Sequence, residues 1–117
     1  MENTKYYSRN KLHQMMDQNE SEVNELMKIF IQMVPIMLDD LSVFTKDGNW
    51  IECGNIAHKL KSSVRLWEIE IIDSDLVFVE ENGRSSKNTE LIIEKIKHIN
   101  DILRPVLQQM ELEIAQS

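Results

Sequence analysis

Glycine and proline are scarce in this 117-residue chain, with three of the first and two of the second. Turns and hairpins draw on both residue types, so their shortage argues for long helices joined by few turns. The plentiful Leu, Ile, Met, Glu, Lys and Gln point the same way. A single cysteine, Cys53, excludes an intrachain disulfide and a cysteine-based zinc site, and suits a reducing compartment. Basic residues number 13 against 20 acidic ones, which gives a formal charge of -7 and a pI near 4.9. Nucleic acid is disfavoured as the main partner, because a phosphate backbone demands a basic footprint. No window has the length and apolarity of a membrane span. The opening Met1-Glu-Asn-Thr-Lys-Tyr-Tyr lacks the apolar core of a signal peptide. No glycine-rich nucleotide loop is present, which argues against direct use of ATP. With 42% apolar residues, residues 1–117 are expected to form one cytoplasmic domain around a single core.

What is present is helical periodicity. The positions Val23, Leu26, Phe30, Met33, Met37, Leu41 and Phe44 step by three and four and predict one buried stripe. Ser21 or Asn19 suits the N-cap, Lys46-Asp47-Gly48 the stop, and Pro35 predicts a kink. A second stripe runs Trp50, Cys53, Ala57, Leu60, Val64 and Trp67. A third, Ile69, Ile72, Leu76 and Val79, ends at Asn82-Gly83; it is β-branched, but a lone strand would find no partner, so helix is the better reading. The last runs Ile92, Ile96, Ile99, Leu103, Val106 and Met110, with a second kink expected at Pro105. Leu12, Met15 and Met16 predict a short helix capped near Ser8. The expected fold is all-α, an antiparallel up-and-down four-helix bundle with a short extra N-terminal helix.

Against the acidic background, one stretch stands out: Asn55-Ile-Ala-His58-Lys-Leu-Lys61-Ser62-Ser-Val-Arg65. It carries no carboxylate between Glu52 and Glu68, yet holds Lys59, Lys61 and Arg65. His58 falls just outside the buried seam, and Gly54, Asn55, Lys61, Ser62 and Arg65 share its face at helical spacing. Gly54 and Ser62, one turn to either side, are small. A mid-helix glycine costs roughly 1 kcal/mol relative to alanine, and here it would open the imidazole to an approaching protein. The bland alternative is an incidental glycine on a solvated basic face. His98, beside Lys95 and Lys97, reads as a solvated surface residue. His13 reads as a packing or exposed residue without catalytic company.

The string Ala57-His58-Lys59-Leu60-Lys61-Ser62-Ser63 resembles the A-H-x-L-K-G-x signature of histidine-containing phosphotransfer (HPt) domains. The segment Phe30–Leu41, with its proline, looks like the helix preceding that signature. Val79-Glu80-Glu-Asn-Gly83 is similar to the end of the family's third bundle helix. The likeness spans about Tyr7 to about Leu112. It implies His58 as phosphoacceptor and Lys61 as the lysine that steadies the phosphoryl group. Three departures are visible: Ser62 replaces a family glycine, Glu68 replaces a second one late in the helix, and Asp75 stands where leucine is usual, which should weaken the third helix.

The function so implied is that of a phosphorelay intermediate, a carrier rather than an autonomous kinase. His58 would accept a phosphoryl group from a receiver-domain aspartate and pass it to another receiver. Gly54, Asn55, Lys59, Ser62 and Arg65 would contact the partner. The expected partners are response-regulator receiver domains and a hybrid sensor histidine kinase, with no nucleic acid and no membrane, and the protein a monomer. No metal or cofactor of its own is expected; Mg²⁺ would sit on the receiver. The competing reading is a non-catalytic adaptor bundle, with Val77, Phe78 and Glu68 suited to docking. A metal-binding bundle is disfavoured, because no Glu-x-x-His pair falls on facing helices.

Overall fold

The computed structural model describes residues 5–116, and among them every regular element is a helix. In order these are α1 (Asn10–Met15), α2 (Glu20–Lys46), α3 (Trp50–Leu66), α4 (Asp73–Ser85) and α5 (Thr89–Gln116). At a rise of ~1.5 Å per residue, the 28 residues of α5 account for the 42 Å long dimension of the molecule. Neighbours in sequence pack on each other, α2 on α3, α3 on α4 and α4 on α5, and α2 also packs on α5. The four long helices therefore close a ring around one core, with α1 resting on α2.

The α5 stripe is buried at all six expected positions. In α2 the register differs. Val23, Met27, Phe30, Val34, Leu38 and Leu41 face the core, while Leu26, Met37 and Phe44 are half-buried and Met33 is 49% exposed. The expected steps follow a period of about 3.5 residues, whereas a straight α-helix drifts away from that repeat. The buried and expected rows coincide at Val23, Phe30 and Leu41 and differ by one residue in between, with Met27, Val34 and Leu38 inward in place of Leu26, Met33 and Met37. Both prolines lie within continuous helices.

Asn19 caps α2, its side chain accepting from the Glu22 amide at 3.1 Å. Arg9 is the N-cap of α1 without a side-chain bond, but Ser8 Oγ accepts from the Asn10 amide at 3.1 Å. Gly48 (φ +68°) makes the left-handed turn after α2. The third helix begins later than its apolar pattern suggests. Ile69 and Ile72 are buried in the turn before α4, which then runs through Gly83 to Ser85 and ends on a left-handed Ser86. Trp67, at the C-cap of α3, is buried edge-on against Phe30, with ring centroids 6.0 Å apart.

Gly54 and Gly83 set how closely α3 and α4 approach. A Cβ on Gly83 would lie 2.6 Å from the Trp50 carbonyl oxygen, and one on Gly54 would lie 3.0 Å from that of Glu80. Only hydrogen fits at Gly83. The resulting backbone contact places the outer edge of α4, including Glu80, directly over α3.

Candidate functional site

His58 lies at the middle of α3 with its side chain 53% exposed. Its Nδ1 is 3.0 Å from Glu80 Oε2 on α4. A carboxylate can only accept, so Nδ1 donates to it, and in the neutral imidazole the lone pair is then on Nε2. The second Glu80 oxygen accepts from Lys61 Nζ at 2.6 Å. Arg84, one turn further along α4, adds its Nη1 to Oε2 at 3.1 Å. One carboxylate, its side chain only 11% exposed, thus gathers an imidazole, an ammonium and a guanidinium. The Lys61 hydrogen bond holds the Glu80 carboxyl below the usual carboxylate range. Burial opposes this, and the His58 hydrogen bond adds to the lowering.

The expected residues divide on inspection. Lys59 and Ser62 are exposed beside His58, and Asn55 is half-buried, its amide donating to Glu52 Oε1 at 3.3 Å. Gly54 corrects an expectation: it is buried in the α3–α4 seam and opens no path to the imidazole. Its role is helix approach, which the periodicity of α3 alone could not reveal. Lys61 is not a free surface cation either; it is 18% exposed and tied to Glu80. Arg65 is exposed but held by both oxygens of Asp73, Nε to Oδ1 at 2.7 Å and Nη2 to Oδ2 at 3.1 Å. Asp73 is correspondingly held below its ordinary value, first by that hydrogen bond. The basic face around His58 is therefore built by Lys59 together with Arg84 and Arg65, which are exposed but already partnered, by Glu80 and Asp73 respectively.

Glu68 has φ +57°, the left-handed conformation that favours glycine. Its carboxylate accepts from the Lys11 amide at 3.2 Å, in the first turn of α1. The residue thus fastens the N-terminal helix to the end of α3. A second set of charges does likewise: Arg9 bridges Glu20 (2.5 Å) and Glu113 (3.0 Å), and Tyr7 hydrogen-bonds Glu113.

Two carboxylates were legible only as exceptions. Glu80 and Asp75 fall on the apolar arc of α4, four residues after Leu76 and three after Ile72, and both are buried. A charge on a buried arc needs a partner; Glu80 finds His58, Lys61 and Arg84. Asp75 finds His98 Nδ1 at 2.5 Å and Lys95 Nζ at 3.6 Å. His98 is therefore not simply solvated, and Asp75 does not leave α4 with an uncompensated charge. His13 Nε2 is covered, 3.1 Å from Glu20 Oε2. Among the described residues no group of three or more His, Cys, Asp or Glu could hold a metal ion, and no helix is long and apolar enough to cross a membrane.

With this geometry in hand, comparison of the chain with models of protein families, with curated proteins and with solved structures finds no match.

Proposed function

We propose that the protein is a phosphohistidine carrier of the HPt type, with its four long helices arranged as an up-and-down bundle and its work done in the cytoplasm. The observation that carries the reading is the way His58 is held: Nδ1 lies 3.0 Å from the Glu80 carboxylate while the ring is 53% exposed. A side chain so held is a pre-oriented nucleophile. The resemblance of Ala57–Ser63 to the phosphotransfer signature supports it independently.

In this reading the partner is a receiver domain carrying an aspartyl phosphate. Nε2 attacks phosphorus in line, the N–P bond forms, and the aspartate carboxylate leaves with the bonding electrons. The Nδ1 proton stays in its bond to Glu80, so the positive charge that grows on the ring faces a carboxylate. Transfer to the next receiver reverses these steps. Phosphoryl transfer asks for positioning and charge stabilisation more than for covalent machinery. Arg84 and Lys61 surround the site with positive charge, and both must be shared between Glu80 and an incoming phosphoryl group. The divalent ion, Mg²⁺, belongs to the receiver.

The adaptor reading has its own support in an apolar groove beside the C-terminal half of α3, lined by Ile29, Met33, Met37, Leu66 and Trp67. Such a groove suits either a receiver's helix or a non-catalytic partner. The deciding experiment incubates the protein with a phosphorylated receiver and follows acid-labile phosphate. Labelling of the wild type and its loss in His58→Gln support the carrier; binding without any labelling supports the adaptor.

A further inference from the structure

The His58 arrangement is present twice. On α4, five residues before Glu80, Asp75 is buried (side chain 7% exposed), and one of its oxygens meets His98 Nδ1 at 2.5 Å while the other faces Lys95 Nζ at 3.6 Å. The Glu80 set has the same connectivity, with His58 Nδ1 at 3.0 Å on one oxygen and Lys61 Nζ at 2.6 Å on the other. Both histidines stand three residues from their lysine, His58 before Lys61 and His98 after Lys95. Both rings are about half open, 53% and 45%. One carboxylate faces α3 and the other α5, so the two imidazoles lie on different flanks of α4.

We propose that His98 is a second phosphoacceptor, its Nε2 held nucleophilic by Asp75 and open to small phosphoryl donors. The chemistry follows from the tautomer. With Nδ1–H given to Asp75, the neutral imidazole carries its lone pair on Nε2, on a ring about half exposed, and among the described residues Nε2 meets no hydrogen-bond partner. Nε2 forms a bond to phosphorus while the bond from phosphorus to the donor's leaving group breaks. That group is the carboxylate of an acyl phosphate or the ammonia of phosphoramidate, and it departs with the electron pair. No proton leaves the ring, and Asp75 balances the charge that develops on it. Lys95 supplies one cation beside the acceptor; it also sits 5.7 Å from the Phe78 ring centroid, which keeps it on that side of α4. Glu94 and Asp101 are the acidic residues at helical spacing from His98 on α5. They disfavour an acidic protein donor more than a small one, so the class of donor assigned to this site is the small phosphoryl compound.

Potassium phosphoramidate is a donor that needs no receiver, so failure here stays separate from failure of the His58 reading. Full-length His58→Gln protein and N-acetylhistidine are labelled in one solution. The label is assigned to residue by peptide mass spectrometry and to ring nitrogen by ³¹P NMR. His98 is expected to label about tenfold faster than the free imidazole, the effect of one charge-assisted hydrogen bond on a rate, and only at Nε2. In Asp75→Asn the rate should fall toward that of N-acetylhistidine, with product at both nitrogens. Should that variant fail to fold, the comparison in the His58→Gln background decides alone. Labelling of His98 no faster than N-acetylhistidine, or product at Nδ1, overturns the proposal and leaves Asp75–His98 as a structural ion pair between α4 and α5.

Discussion

The two flanks of α4 present the same three groups in different electrostatic settings. On the α3 flank, Glu80 gathers His58, Lys61 and Arg84, and Lys59 and Ser62 stand beside the ring. On the α5 flank, Asp75 gathers His98 and Lys95, with Glu94 and Asp101 nearby in the helix. The difference teaches that orienting an imidazole and attracting an acidic partner are separable tasks. A buried carboxylate meets Nδ1 and so orients the imidazole in both places. Only the α3 flank adds positive charge beyond what its carboxylate consumes, and only there can a negatively charged protein be steered.

The sharpest way to break the comparison is to remove one ring and change the donor. With a phosphorylated receiver, His58→Gln should reduce acid-labile label to background. With phosphoramidate the same variant should keep a substantial part of its label, on His98. Receiver-driven label appearing on His98 at a rate near that of His58 would show that local charge does not select the site.

Next in size is the helix approach itself. Gly83→Ala places a Cβ 2.6 Å from the Trp50 carbonyl and 2.9 Å from the Gly54 amide nitrogen, both backbone atoms that cannot swing aside. Moving α4 outward should cost about 1–3 kcal/mol and carry Glu80 away from His58. A denaturant midpoint shift and slower receiver-driven labelling should therefore appear together. Labelling of His98 should change less, because Asp75 meets α5, on the other side of α4. Equal loss at both histidines would mean that α4 moves as a whole and that the flanks are not independent.

Lys61→Ala acts on one flank only. An exposed lysine would contribute little, but this one is 18% exposed and donates to a covered carboxylate. Its removal should cost about 1–2 kcal/mol and slow transfer at His58 without touching His98. Proton linkage probes the same group. Glu80 is lowered in the folded protein, so its contribution is fully present above the unfolded value of about 4.3. It is lost as pH falls through the lower folded value. Thermal melts between neutral pH and that range should show a loss in the wild type that is smaller in Glu80→Gln, the remainder coming from Asp73 and Glu113, which are lowered as well.

How much of this could be read in the sequence differs between elements. The α5 stripe was legible at all six expected positions, although Ile102 and Leu107, beside Leu103 and Val106, are buried as well. The α2 stripe was not, because Met33 and Val34 stand side by side and the choice depends on whether the helix supercoils or runs straight. His58 and Lys61 were legible from local charge and from the phosphotransfer-like string. Glu80 and Arg84 were not assigned to the site, because they come from another helix, 19 or more positions away from Lys61. The usable signal was a carboxylate on an apolar arc, which marks both Glu80 and Asp75. Gly54 carries a real helical cost whose return is close helix approach, not access to His58: it faces Glu80 and Arg84 backbone, not solvent.

The smallest expected effect concerns Glu68, where two opposing terms nearly cancel. Its left-handed conformation (φ +57°) costs a non-glycine residue roughly 1 kcal/mol. Against this, its carboxylate accepts from the Lys11 amide at the start of α1, where unpaired amides and the helix dipole favour a negative group. A cap of that kind contributes about 0.5–2 kcal/mol. Glu68→Gly should therefore shift global stability by less than about 1 kcal/mol, while Glu68→Ala, which keeps the strain and loses the cap, should be the less stable of the two. The local consequence is larger than the global one. α1 has only six residues and packs chiefly on α2, so releasing its first turn should raise amide exchange at Asn10–Met15 in both variants and leave α3 and α5 unchanged. Unchanged exchange in α1 would show that Arg9, Tyr7 and Glu113 hold the N-terminal segment without help from Glu68.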